Sequence, residues 1–426
     1  MKLLIKNGIV YESDRFKDNI DIYIENGKIT AIGKELQKLD VYKVIDASEC
    51  YVIPGLVDMH CTIGEPGYEY KETLETASIS AARGGFTSIT MNPDTSPTID
   101  NKTVVEFILS KAREDSCVNI FPYGSMTKKC EGKELAEIGD MQLSGVCAIS
   151  DGDKAIQDAN VISKIIKYAK MFDMPIITHC EDTSLSFSSG VNEGKMSTYL
   201  GLKGALRTAE EIMVARNILL ADYYKAHIHI THISTKKSVE LIKDAKRNGV
   251  NITAETSPHY FMLNEDKVQN YNAFAKVNPP LRTEEDVNAI IQGIKEGIID
   301  VISSDHKPNT IDSKLVEFEL ASFGMSSLEI AFPLAYTALV STQIITLEQL
   351  IHLMSKKPAE ILGLNKGVIK VGADADLIVI KKEEKIINSK GFLSKSKFTP
   401  FDGFKLDISI KNTIVDGKDI DLKISE

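Results

Sequence analysis

The pattern of hydrophobic and polar positions changes twice along the chain. Residues 2–53 alternate over short stretches at 3–5, 19–24, 29–32 and 43–46, and Glu25-Asn26-Gly27 separates two of the apolar runs. A strand sends successive side chains to opposite faces, and Asn-Gly suits the positive-φ positions of a tight hairpin turn. These stretches are therefore predicted to be strands. Residues 367–380 and 408–422 have the same texture, so both chain ends are expected to pair in one small β-sandwich. Between them, short apolar runs at 87–91, 118–123, 145–149, 175–179, 227–231, 251–255 and 300–304 are interleaved with helical patterns at 101–114, 159–172 and 235–248. Strands that are apolar on both faces and separated by helices belong to parallel sheets. Sustained over about 300 residues, the alternation predicts an α/β fold of the TIM-like (β/α)8 barrel type. The expected organisation is a first sandwich segment at 1–53, a barrel at 54–365 and a second sandwich segment at 366–426. Barrel active sites lie at the carboxyl ends of the strands, so the search for chemistry narrows to those ends.

Composition adds exclusions. With 43% hydrophobic and 26% charged residues the chain falls among ordinary globular proteins. A net charge of −10 argues against a nucleic-acid surface, which requires a basic patch. No apolar run approaches the roughly 18 residues of a membrane span, and residues 1–6 look like a short strand and not a signal peptide. A cytoplasmic protein is expected. The six cysteines, at positions 50, 61, 117, 130, 147 and 180, form no Cys-x-x-Cys pair. They are expected to be reduced thiols.

The candidate chemistry centres on residues 54–67, Pro-Gly-Leu-Val-Asp-Met-His-Cys-Thr-Ile-Gly-Glu-Pro-Gly. Strand alternation places His60, Thr62 and Gly64 on one face, with Cys61 and Ile63 on the other. Four further polar residues stand at predicted strand ends: Asp151 in Ser150-Asp-Gly-Asp153, His179 in Thr178-His-Cys-Glu-Asp182, His232 in Ile230-Thr-His-Ile-Ser234, and Asp305 in Ser303-Ser-Asp-His-Lys-Pro308. Imidazole and carboxylate ligands suit zinc. Any one of these histidines alone is more often a structural residue. Their recurrence at strand ends, in barrel order, makes a metal centre the better reading. His227, His229 and His352 read as structural, and His259 as either a packed strand-end histidine or a neighbour of the site.

These motifs, together with Met91-Asn-Pro-Asp-Thr95, Asn278-Pro-Pro-Leu-Arg282 and Gly372-Ala-Asp-Ala-Asp-Leu377, resemble those of bacterial-type dihydroorotases, within the metal-dependent amidohydrolases. The resemblance covers nearly the whole chain. It implies a Zn2+ centre of one or two ions, with His179 and His232 on one ion, Asp151 bridging, and His60 with Asp305 on the second. It implies Asp305 as general base and acid, and Asn278, Asp94 and Asn309 as substrate-contacting positions. The implied reaction interconverts L-dihydroorotate and N-carbamoyl-L-aspartate in pyrimidine biosynthesis. The implied partners are a small-molecule substrate and a second copy in a homodimer, or an aspartate transcarbamoylase.

Several positions depart from the family pattern. Thr62 and Gly64 stand where a histidine and an arginine are usual, Asp94 replaces an asparagine, and Asn309 replaces a second histidine. Lys307 is new, either as a cation for a carboxylate or as a solvent-facing lysine. Three readings follow: a working dihydroorotase, a non-catalytic scaffold partner of aspartate transcarbamoylase, and an amidohydrolase for a different cyclic amide or ureide.

Overall fold

The computed structural model describes residues 2–36 and 41–421. The expectations for Met1 and for residues beyond 421 lie outside the described residues. Eight short strands form one parallel sheet in sequential order: Leu56–Asp58 (β1), Phe86–Met91 (β2), Asn119–Gly124 (β3), Ala148–Ile149 (β4), Ile176–Thr178 (β5), Ile228–Ile230 (β6), Ile252–Thr256 (β7) and Val301–Ile302 (β8). The ring closes between its first and last members. Cys61 and His306 form a parallel bridge, Thr62 N–H donates to His306 O at 2.8 Å, and Ser304 N–H and Oγ–H donate to the buried Asp58 carboxylate at 2.8 and 2.5 Å. A carboxylate with no solvent access is costly unless hydrogen-bonded, so Asp58 fixes the register at the seam. Burial still pushes its carboxyl up to about 6.

The helices form because one face of each is apolar and their ends are capped. In Ala159–Lys170, Val161, Ile162, Ile165, Ile166 and Ala169 turn inward, and the Asp158 carboxylate accepts from Asn160 N–H. Lys102–Asp115 begins where the Asn101 side chain accepts from Thr103 and Val104 N–H. Such caps satisfy donors that the first turn leaves free. The expected strand at 145–149 shortens to Ala148–Ile149, because Gly145 turns the chain at φ 108°. Helices Thr208–Tyr224 and Glu284–Lys295, not singled out by the sequence pattern, complete the later crossovers. Among the described residues, no helix is long and apolar enough to cross a membrane.

The chain ends build one continuous eight-stranded sheet. Lys2–Glu12 pairs antiparallel with Arg15–Glu25 and parallel with Lys43–Asp46 and Tyr51–Pro54, and Tyr51–Pro54 pairs antiparallel with Leu377–Ile386. Asn26 (φ 51°) and Gly27 (φ 78°) make the predicted hairpin turn. Leu3, Ile5, Ile22, Ile24, Val52, Leu377, Val379 and Ile414 form the core of this sheet. Tyr51–Pro54 leads, one glycine later, into β1, so the sheet anchors the strand that carries the first candidate histidine.

Candidate metal centre

His60 follows β1 by two residues, Asp153 lies in the turn after β4, and His232 follows β6 by two residues. Their side chains converge. His60 Nε2 is 3.1 Å from Asp153 Oδ1 and 3.1 Å from His232 Nε2, and His232 Nε2 is 3.6 Å from Asp153 Oδ1. Two ring nitrogens and a carboxylate oxygen thus lie close enough together to hold one cation. Nitrogen and oxygen ligands of tetrahedral zinc stand about 3.3 Å apart, given metal–ligand distances of about 2.0–2.1 Å. The observed separations bracket that value.

Behind the two histidines lies Glu255, in β7 and without solvent exposure. Its Oε1 is 3.5 Å from His60 Nδ1 and 3.8 Å from His232 Nδ1, and its Oε2 is 3.3 Å from His229 Nε2. The Nδ1 atoms of His60 and His232 and both Glu255 oxygens are buried without hydrogen-bond partners. A carboxylate behind a ligating histidine draws the Nδ1 proton toward itself and leaves the Nε2 lone pair for a cation. Glu255, which no motif of the sequence singles out, lies where it can orient both rings.

The local field favours positive charge here. Burial would depress the His60 imidazolium, but Asp153, Glu255 and Asp305 outweigh it and raise the group to about 9. Burial and the neighbouring His60 hold His232 below its ordinary value. Burial pushes Asp153 up, yet Lys307, His232 and His60 keep it well below the usual carboxylate range. Two imidazole nitrogens and a carboxylate oxygen within reach of one point are donors that zinc accepts, so the donor set fits a metal.

Asp151 is elsewhere. Its Oδ1 accepts from Met126 and Thr127 N–H at 2.8 and 3.0 Å, and its Oδ2 from Thr127 Oγ–H at 2.5 Å. Asp151, expected to bridge, spends both carboxylate oxygens on these donors and does not join the trio. Gly152, at φ 62°, turns the chain between two aspartates, so Asp153 reaches the histidines while Asp151 holds the 126–127 turn. That intervening glycine was the available signal.

His179 stands one residue beyond β5, its ring 5.7 Å from that of His232. Its Nε2 contacts Glu181 Oε2 at 3.2 Å and Asn278 Nδ2 at 3.4 Å, and Asn278 also donates to Glu181 at 2.9 Å. Burial raises Glu181, but His179 and the other hydrogen-bonding groups outweigh it and hold the carboxyl at about 2. His179 and Asn278 thus flank the trio without joining it.

Asp305 lies beyond β8 and is nearly buried, with Oδ2 3.3 Å from His259 Nε2. Burial pushes its carboxyl up, and His232 and His259 prevail in lowering it. Both Asp305 (φ 49°) and His232 (φ 55°) are in the left-handed region, which costs a side-chain-bearing residue about 1–3 kcal/mol and is common at functional sites.

Asn92 fills the place beside Thr62. Its Nδ2 lies 2.9 Å from His60 Nε2 and donates to Thr62 Oγ1 at 3.3 Å. Thr62, Gly64, Asp94, Lys307 and Asn309 line a cavity of about 250 Å³ adjoining the trio. Lys307 Nζ pairs with Asp153 Oδ2, so this lysine is turned toward the centre. Burial, then Asp153, raises the Asp94 carboxyl. The Asn309 amide donates to Phe323 O at 2.8 Å and braces a loop. The six cysteines are free thiols, and Cys61 and Cys180 are buried.

A parallel barrel with histidines and carboxylates gathered at its strand ends offers a site able to hold a metal ion. The family model described as dihydro-orotase-like matches residues 50–238. Proteins named dihydroorotase from Ruminiclostridium cellulolyticum and Acetivibrio thermocellus are 48% and 47% identical, over 98% and 97% of this chain and 98% of each relative. Among solved structures, the L-hydantoinase (dihydropyrimidinase) from Arthrobacter aurescens superposes with a TM-score of 0.88 at 25% identity, over 98% of this chain and 95% of that one. The D-hydantoinase (dihydropyrimidinase) from Thermus sp. does so with 0.85 at 26% identity, over 98% and 94%. The chain belongs to the dihydroorotase family.

Proposed function

We propose that this chain is a working metal-dependent cyclic amidohydrolase that interconverts L-dihydroorotate and N-carbamoyl-L-aspartate, with one divalent ion, zinc by its ligand chemistry, held by His60, Asp153 and His232. The observation that carries the reading is the convergence of three ligand atoms 3.1–3.6 Å apart, backed by a buried carboxylate. A cation held by His60, Asp153 and His232 would supply the Lewis acidity that activates water as a nucleophile.

The remaining work falls to the protein's own residues. Asp305, kept ionised and braced by His259, accepts the proton of the attacking water. It returns that proton to the ring nitrogen as the C–N bond of the cyclic amide breaks. Asn278, tied to Glu181 beside His179, would hold the ring. His179, with its ring 5.7 Å from that of His232, adds a polar group beside the centre. The family resemblance supports a homodimer in the cytoplasm, which light scattering and fractionation check.

Elemental analysis of protein purified without chelator, run beside a dihydroorotate hydrolysis assay, tests the proposal. Close to one zinc per chain with turnover is expected. Metal-free protein, or metal-loaded protein without turnover, overturns it.

A further inference from the structure

The turn after β1 has closed over the face where a clamp for substrate would project. A Cβ added at Gly64 would lie 2.2 Å from Tyr68 O and 2.9 Å from Glu72 O, far inside contact distance. Two backbone hydrogen bonds hold this fold-back: Tyr68 N–H donates to Gly64 O at 2.6 Å and Lys71 N–H to Tyr68 O at 2.8 Å. No side chain can grow from position 64 into the cavity while this turn stands.

The same turn delivers Lys71 to the wall of the 250 Å³ cavity, where Lys307 and Lys154 also stand, with Asp94 as the one acidic lining residue. Lys71 is half-buried and forms no ion pair among the described residues; its ammonium lies 5.6 Å from the centre of the Tyr68 ring. Burial, then the repulsion of Lys307, depresses its pKa, against the pull of Asp94. Lys307 is already paired with Asp153. An ammonium withdrawn from water without a counterion is an unfavourable arrangement, and an anion in the cavity would relieve it.

We infer that Lys71, assisted by Lys307, is the specificity-determining residue of this chain for the carboxylate of its substrate. The inference rests on the function proposed above and deepens it. A cyclic amide bearing a carboxylate would seat that group between the two ammonium ions, with its ring toward His60 and His232. Asp94 stands on the same wall, with its carboxyl pushed up by burial and by Asp153. The ammonium is a point charge on a flexible stem, so reach is set by the turn and not by a rigid fork.

Equilibrium dialysis with metal-loaded protein tests the assignment, using dihydroorotate and dihydrouracil, which share a ring and differ by the carboxylate. The parent should bind dihydroorotate more tightly, and Lys71→Met should reduce the ratio of the two affinities about tenfold, the scale of one charge-assisted hydrogen bond. Lys71→Arg should keep most of the ratio. A parent without preference for dihydroorotate, or a Lys71→Met protein with the parental ratio, overturns the inference. The readout is separate from turnover: preserved carboxylate preference in a protein that does not hydrolyse dihydroorotate would sink the proposed function and leave the role of Lys71 standing.

Discussion

The two aspartates of Ser150-Asp-Gly-Asp153 have different work although they are two residues apart. Asp151 is saturated by three protein donors, whereas Asp153 meets two imidazoles and an ammonium. Replacement by asparagine keeps the size and removes the charge, so the pair separates ligation from loop support. Asp153→Asn should lower metal occupancy at least tenfold, because an anionic ligand becomes a neutral one. Asp151→Asn should retain the metal and lose about 1–3 kcal/mol of stability, the scale of hydrogen bonds to a charged group. Elemental analysis and thermal melts of both variants check this, and metal loss in Asp151→Asn alone would reverse the assignment.

At the scale of elements, the turn from Gly64 to Glu72 explains the family departure that sequence reading could only record. Gly64 stands where the family usually has an arginine. In three dimensions the backbone itself fills the space where the side chain would begin. Gly64→Ala should therefore destabilise the protein by about 1–3 kcal/mol, as overpacking does when the obstructing atoms are backbone, and should weaken dihydroorotate binding by displacing Lys71. Thermal melts show whether the position is intolerant; an alanine variant as stable as the parent would mean the turn moves freely. Glu72 holds the far end of the turn. It faces His306 Nε2 at 3.4 Å, and Ser394 Oγ–H and Lys395 N–H, the latter at 3.2 Å, donate to it. His306 Nδ1 accepts from Ser327 N–H at 3.2 Å, which leaves its Nε2 as the protonated nitrogen directed at Glu72.

At the scale of the whole molecule, the centre joins strands from across the ring. His60 follows β1, Asp153 follows β4 and His232 follows β6, so a cation bound to all three links segments 172 residues apart in the chain. A ligand that binds only the folded state stabilises it by mass action, about 4 kcal/mol at a thousandfold excess over its dissociation constant. Chelation should lower the melting temperature of the parent by several degrees. His60→Ala should melt at the same temperature with and without chelator, and a chelator-sensitive His60→Ala protein would place the metal elsewhere. The chain-end sheet takes part through Asp376. Its carboxylate accepts from Lys366 Nζ at 2.6 Å and Asp416 N–H at 2.8 Å, and its backbone O accepts from Gly55 N–H at 2.9 Å, next to β1.

The barrel was legible in the sequence because burial imposes period: strands covered on both sides must be apolar throughout, and helices laid on them must be apolar on one face. The hairpin at Asn26-Gly27 and the placing of His60, His179, His232 and Asp305 beyond strand ends followed from the same local rules. What those rules leave undetermined is direction. Whether a side chain beyond a strand end points into the ring depends on single backbone torsions, and Gly152 sent Asp151 away and Asp153 in. Arrangements of distant segments, such as Glu255 behind two histidines, the Asp58 seam and Lys71 on the same cavity wall as Lys307, have no local signature. Only the closed ring decided them, because closure fixes which side chains share the small volume at its mouth.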